Sequence, residues 1–287
     1  QANTQILDAL APIKYAEESA GSFDATNSAY VAARLSSGSA SVMQATMLYG
    51  LPEWKDGVVQ RKDGTTDKDS LLGIFSDLGS DLHNWLAWMA GHRAEILMAE
   101  GRENLLSAAD ITKLKLKGAG KEAKFNEAKK KWNKLNSAVL DMAQEAGLIK
   151  AEERANWESE WYIPFFRETD DGDVTAPFKK NGIANQSSGI KKLKCGTANV
   201  NDLLENIFTT TGKLIDASMK NMAAQKVVHN LAETDLIEIM EKPNLMDIKA
   251  AIQNKQNLMM VKIDGESHVV RVNDPELFRA MTMIDMK

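Results

Sequence analysis

Asp67–Glu100, DKDSLLGIFSDLGSDLHNWLAWMAGHRAEILMAE, is the stretch whose reading decides the fold. Leu71, Phe75, Leu78, Leu82, Trp85 and Met89 recur at steps of three and four, with Ile96 seven residues further on. That spacing puts them on one face of an α-helix and argues against a strand. Leu72, Ile74, Leu86, Trp88 and Leu97 broaden the face, so neighbours are expected on two sides. Read as one helix, at ~1.5 Å per residue, the stretch spans roughly 45–50 Å and serves as a spine. Asp67 or Asp69 is the expected cap at its start, and Gly101 the expected stop.

Working outward, Lys121–Ala146 carries Phe125, Ala128, Trp132, Leu135, Val139, Met142 and Ala146 at alternating steps of three and four. So narrow a seam belongs to a helix folded back on a partner, here the spine, with Gly147 as its C-cap. Ser107-Ala-Ala-Asp110 reads as a capping box opening a short helix that Gly118 and Gly120 end. Lys150 to about Glu160 begins another helix. Asn199 to about Glu241 is expected to be long helix, burying Val200, Leu204, Ile207, Leu214, Ile215 and Met222, with Gly212 as a bend. A short helix is expected near Leu245–Gln253. Leu258–Ile263 and Ser267–Val272 flank Asp264-Gly265, a β-hairpin with its turn spelled out. Asp274-Pro275 opens a last helix.

Before the spine, Asn3–Ser19 is helical with a break expected at Pro12. Phe23–Leu35 is a second helix, Ser36–Ser41 a soft spot, and Val42–Tyr49 resumes helically. Gly50–Asp69 is turn-rich, and Val58–Arg61 reads as a short hairpin arm between Asp56-Gly57 and Asp63-Gly64. The chain therefore divides into N-terminal helices and arm (1–66), a central helix hairpin (67–168), a linker or loop (169–198), and a long helix, hairpin and terminal helix (199–287), the last packing with 67–168. The expected class is mainly α: an elongated multi-helix bundle with long central helices and one C-terminal β-hairpin.

Composition narrows the functional classes. The 287 residues are 44% hydrophobic and 26% charged, ordinary for a globular chain able to bury a sizeable core. A net charge of −5 provides no global pull toward nucleic acid or membrane. The one cysteine, Cys195, excludes an intrachain disulfide, and no apolar run approaches the ~18 residues of a membrane span. Gln1 at the start, and a final AMTMIDMK continuing an apolar rhythm without a cap, are what a piece of a longer chain would show.

Candidate chemistry is sparse. His92 and Glu95 lie three apart on the spine, the spacing of a metal pair in a helical bundle, but no second His/Glu pair accompanies them. An ordinary polar position is the better reading, and a metal-dependent helical enzyme the alternative it leaves. Glu168–Asp173 (ETDDGD) lacks the closing glutamate of a calcium loop, since Phe178 stands there, and reads as a solvated loop. Cys195, beside Lys191, Lys192 and Lys194, has no partner fixed by sequence. No phosphate loop, nucleophile elbow or zinc spacing is present, so no enzyme and no cofactor are expected. Lys121, Lys124, Lys129, Lys130 and Lys131, with Lys191, Lys192 and Lys194, are candidate nucleic-acid contacts. The first run also falls on the polar face opposite the Phe125–Met142 seam, where a helix needs charge anyway. Trp161–Arg167 (WYIPFFR) is the densest aromatic cluster. It reads first as a core plug; as an alternative, Trp161, Tyr162, Phe165, Phe166 and Arg167 would form an interface.

Three blocks, in order, resemble a helical domain of the large polyvalent proteins of bacteriophages, prophages and conjugative elements: NWLAWMAGHRAEILMAEGRENL (Asn84–Leu105), GLIKAEERANWESEWYIPFFRE (Gly147–Glu168) and GTANVNDLLENIFTTTGKLIDASMKNMAAQKVV (Gly196–Val228). The closing hairpin and Asn273–Leu277 are similar too. The Pro-Leu-x-Arg-Phe-Gly signature that many of these proteins carry is missing from this chain. The resemblance implies one non-catalytic structural or interaction module of a longer protein. It implies a place in the virion interior, or in the bacterial cytoplasm after delivery with the DNA. The partners would be other segments of the parent chain or virion proteins, with DNA as the alternative.

Overall fold

A computed structural model describes residues 8–102, 106–164, 200–240 and 257–285. Their elements, in order, are α1 (Ala11–Ser19), α2 (Ala29–Ser36), α3 (Ser39–Leu48), β1 (Pro52–Lys55), β2 (Val58–Arg61), α4 (Leu71–Leu78), α5 (Leu82–Ala99), α6 (Ala108–Lys115), α7 (Glu122–Glu145), α8 (Ala151–Arg154), α9 (Val200–Leu231), β3 (Ile237–Met240), β4 (Leu258–Ile263), β5 (Glu266–Val272) and α10 (Pro275–Asp285). The chain is mainly helical, with long helices and a small antiparallel sheet near its C-terminus.

The spine is not one helix. Asp67–Asp69 forms a 3-10 turn, α4 follows, Gly79–Asp81 makes a second turn, and only then does α5 begin. Gly79 takes φ +54°, outside the helical basin, and Ser70 starts α4 by accepting a hydrogen bond from the Gly73 amide at 3.1 Å. Apolar spacing continues through the break, so periodicity alone concealed it. α5 buries Trp85 to Gly91 without interruption, together with Ala94 and Leu97. Such a helix is enclosed rather than half-exposed.

α7 matches its seam: Phe125, Ala128, Trp132, Leu135, Val139, Met142 and Ala146 are all buried. Gly147, at φ +77°, ends the helix as expected, with amides from Gly147 and Leu148 returning to Gln144 O and Ala143 O. The Ser107–Asp110 capping box is present. The helix expected from Lys150 to Glu160 shortens to α8 and one 3-10 turn, Ala155–Trp157.

Two readings at the N-terminus shift, and the hairpin arm holds. Pro12 sits in the first turn of α1, where its missing N–H costs nothing, and so starts the helix instead of breaking it. Residues 23–27 form turns, and α2 begins only after Ser28, whose hydroxyl caps Val31 N at 3.2 Å. The arm Val58–Arg61 pairs with Pro52–Lys55 around Asp56-Gly57, both at positive φ (52° and 79°).

At the other end, α9 stops at Leu231 instead of running to Glu241. Ile237-Glu238-Ile239-Met240 is a strand, β3, that pairs with β5 (Ile237 opposite Val272). The expected hairpin β4–β5 is present, with Asp264-Gly265 at φ +49° and +75°, but it belongs to a three-stranded sheet of order β3-β5-β4. The β-branched alternation of 237–239 lets backbone pairing to β5 win over helical continuation. The linker or loop at 169–198 and the short helix expected at Leu245–Gln253 fall outside the described residues.

Two hydrophobic cores result, and α9 belongs to both. Its first half, from Leu203 to Met219, packs with α4, α5 and α7. Its second half, from Ala223 to Leu231, packs with α1, α2, the sheet and α10. Between them sits Asn221, 1% exposed. Its Nδ2 donates to Ala146 O and to Lys262 O (2.8 Å), and its Oδ1 accepts from Lys262 N at 3.2 Å. Replacing Asn221→Leu keeps the volume but strands three buried backbone groups, so we expect a loss of about 2–4 kcal/mol in unfolding free energy at unchanged denaturant slope. Equilibrium urea denaturation measures it, and a midpoint within error of the parent would refute the clamp.

Candidate functional site

The turn-rich residues after α8, through Pro164, form a strap laid across α7. Lys129, Trp132, Asn133 and Asn136 stand at helical spacing on one face of that helix and hold it. Lys129 Nζ pairs with Glu160 at 2.7 Å, Trp132 Nε1 donates to Tyr162 O at 2.7 Å, Asn133 to Glu160 O at 3.0 Å and Asn136 to Trp157 O at 2.7 Å. Tyr162, Ile163 and Pro164 are buried and Trp161 is half-buried against the core. Burial alone pushes the Tyr162 phenol up to about 12, partly opposed by Arg93, which sits 5.5 Å from the ring centroid.

Trp161 gathers members of all three sequence-flagged sets. His92 of α5 stacks on its ring with centroids 3.9 Å apart and planes at 15°, and Lys129 Nζ lies 3.8 Å from the indole centroid. Trp88 meets both rings edge-on, at 5.2 Å from His92 and 4.8 Å from Trp161, and contacts Phe125 at 5.5 Å. The cluster can hold an imidazole, an ammonium and an indole in one half-desolvated packet. Burial first, then the Lys115 charge, push the His92 pKa below 6.5; Glu95 and Glu160 pull it back and Lys129 reinforces the fall. On the strap, the Lys129 hydrogen bond holds the Glu160 carboxyl below its usual range.

The other candidates have different company. Glu95 gives both carboxylate oxygens to Lys115 Nζ at 2.8 Å, which lowers its pKa. Among the described residues no group of three or more His, Cys, Asp or Glu side chains is placed to hold a metal. No described helix is long and apolar enough to cross a membrane. Lys121 and Lys124 converge on Asp81, the latter at 2.9 Å, and hold its carboxyl down; Lys131 pairs with Asp77 at 3.1 Å; Lys130 is exposed. Phe165, Phe166, Arg167, Lys191, Lys192, Lys194 and Cys195 lie outside the described residues. The strap-holding Asn133 and Asn136 went unflagged; their spacing of three beside Trp132, on the face read only as charged, was the available signal.

With this geometry in hand, comparison with family models, curated proteins and solved structures returns no match.

A depressed histidine pKa means the folded state keeps the imidazole neutral while the unfolded chain titrates near 6.5. The resulting stabilisation is complete above 6.5 and is lost as pH falls through the lower folded value. The stability difference between the parent and His92→Gln should therefore be largest near pH 8 and shrink below about 6.5. Urea titrations followed by tryptophan emission test this. A difference that stays constant with pH would mean that the fold does not resist protonation of His92.

Proposed function

We propose that this chain is a non-catalytic structural and interaction module of a large phage- or prophage-encoded protein, carried inside the particle and delivered with the DNA. The observation that supports it most is where the three blocks of likeness fall. Trp85, Leu86, Trp88 and Met89 of the first, Leu148, Ile149 and Ile163 of the second, and Leu203, Ile207, Leu214 and Ile215 of the third pack into a single core. Blocks that meet as apolar packing hold a fold, whereas blocks that serve catalysis bring polar groups together on a cleft. The likeness is therefore of the kind a scaffolding module carries, and its partners would be other segments of the parent chain or virion proteins.

Nucleic-acid contact through the lysines is the weaker reading. Phosphates would have to displace Asp81, Asp77 and Glu160 from Lys121, Lys124, Lys131 and Lys129, which removes most of the counterion-release gain.

Peptide mass spectrometry on purified, protease-treated particles of the phage or induced prophage encoding the chain tests the proposal. Peptides from this region, joined to flanking sequence, are the expected result. Their confinement to infected or donor cells would overturn the virion assignment.

A further inference from the structure

Both described hairpins turn on Asp-Gly, and both leave one set of backbone groups facing away from the partner strand. In β1–β2, Lys55–Val58 and Glu53–Gln60 are the bonded pairs, and the pattern continues one step on where Lys62 N donates to Leu51 O at 2.7 Å. Bonded and non-bonded pairs alternate in antiparallel strands. Trp54–Val59 and Pro52–Arg61 are thus the non-bonded pairs, consistent with a proline at 52, and the N–H and C=O of Val59 and Arg61 point outward. In β4–β5 the equivalent pair is Lys262–Ser267, and there the Asn221 amide takes both outward groups of Lys262, on the strand that corresponds to β1. Among the described residues nothing hydrogen-bonds the outward groups of Val59 or Arg61.

That open edge borders a groove. Val42, Ala45 and Thr46 of α3 line it with Tyr49 just beyond the helix, and the hairpin contributes Pro52 from β1 and Val59, Gln60 and Arg61 from β2. Tyr49 is 60% exposed, so the groove keeps an uncovered aromatic wall. The Arg61 stem lies against Gly50, where an added Cβ would come within 3.0 Å of its Cγ and Cδ. Its guanidinium forms no ion pair among the described residues.

We propose that the β2 edge and the α3 groove are a docking site for an extended peptide of another protein chain, one that alternates apolar with acidic residues and adds to β1–β2 as a third strand. Outward groups two residues apart match the spacing of a strand, which would bond Val59 and Arg61 through its main chain in place of solvent. Apolar side chains fill the α3 side of the groove, and a carboxylate meets the unpaired Arg61 guanidinium. The inference goes beyond a virion role and stands whether or not the chain travels in a particle.

The test pans a random linear dodecapeptide library against the full chain, then measures synthetic consensus peptides by fluorescence anisotropy. The expected consensus alternates apolar residues with Asp or Glu. Val59→Pro, which removes an outward N–H, should weaken binding at least ~tenfold, the scale of one main-chain hydrogen bond. Arg61→Glu should weaken it similarly, and a peptide with Lys in place of its acid should bind Arg61→Glu better than the parent. Amide exchange at Val59 and Arg61 in the unmutated protein should slow when peptide is added, a readout that survives if a variant fails to fold. Enrichment without an alternating consensus, or amides that stay unprotected by bound peptide, would overturn the site. Sedimentation showing dimers that Val59→Pro abolishes would overturn it too, by assigning the edge to a second copy of the chain.

Discussion

The buried carboxamide of Asn221 is the constraint on which the arrangement of the molecule depends. An amide buried in an apolar seam is costly unless its donors and acceptor are satisfied. Here they are satisfied by the end of α7, through Ala146 O, and by the edge of β4, through both main-chain groups of Lys262. Leucine at 221 would bury as much surface but would leave the end of α7 and the sheet free to slide on α9. The neighbouring close contacts follow from the same fit. Gly265 N donates to Gly147 O at 2.9 Å, and an added Cβ at either glycine would strike Gln225 or Lys150. Only glycine tolerates both the crowding and the positive φ found there.

α9 repeats the device along its length. Asp216 accepts from Ser39 at 2.6 Å and forms an ion pair with the buried Lys220, its Nζ 2.9 Å away, tying the start of α3 to the helix. Asn230 donates at 2.8 Å to Glu17. That fully buried carboxylate also accepts from Ser28 Oγ and from the amides of Ala29 and Tyr30, at 2.8–3.0 Å, at the N-terminus of α2. A negative charge is favoured there by the unsatisfied amides and the helix dipole. Each polar residue on α9 selects one neighbour and one register, while the apolar residues around it supply the bulk of the cohesion. This is how two separate cores come to share a helix without slipping on it.

Legibility in the sequence followed the range of the interaction. α7, the Asp-Gly turns and the Ser107 box are governed by contacts within a few residues, and each was readable from spacing alone. The break at Gly79 was not, because apolar spacing stays in phase across it. β3 was not, because a four-residue strand exists only through its pairing with β5, about thirty residues away. The candidate site divides the same way. His92, Trp161, Tyr162 and Lys129 were each visible as chemistry-bearing types, yet three different roles were assigned to what the fold makes one cluster. Nothing local links position 92 to 161; the link is the polar face of α7, which turns the strap back onto α5.

That convergence bears on function. Lysines are strong phosphate contacts when they are free, and aromatic residues are strong interface anchors when they are exposed. In this chain the lysine closest to the aromatic cluster is spent on Glu160 and the Trp161 ring, and Tyr162 is sealed beneath Arg93. Lys129, Trp161 and Tyr162, three of the described residues that look like a binding surface in the sequence, are thereby engaged in contacts of the strap. Among the described residues, the arm whose turns the sequence marks leaves open a short strand edge with an aromatic wall and an unpaired cation. An edge of that kind is where a further strand can add, because its main-chain groups are already aligned for pairing.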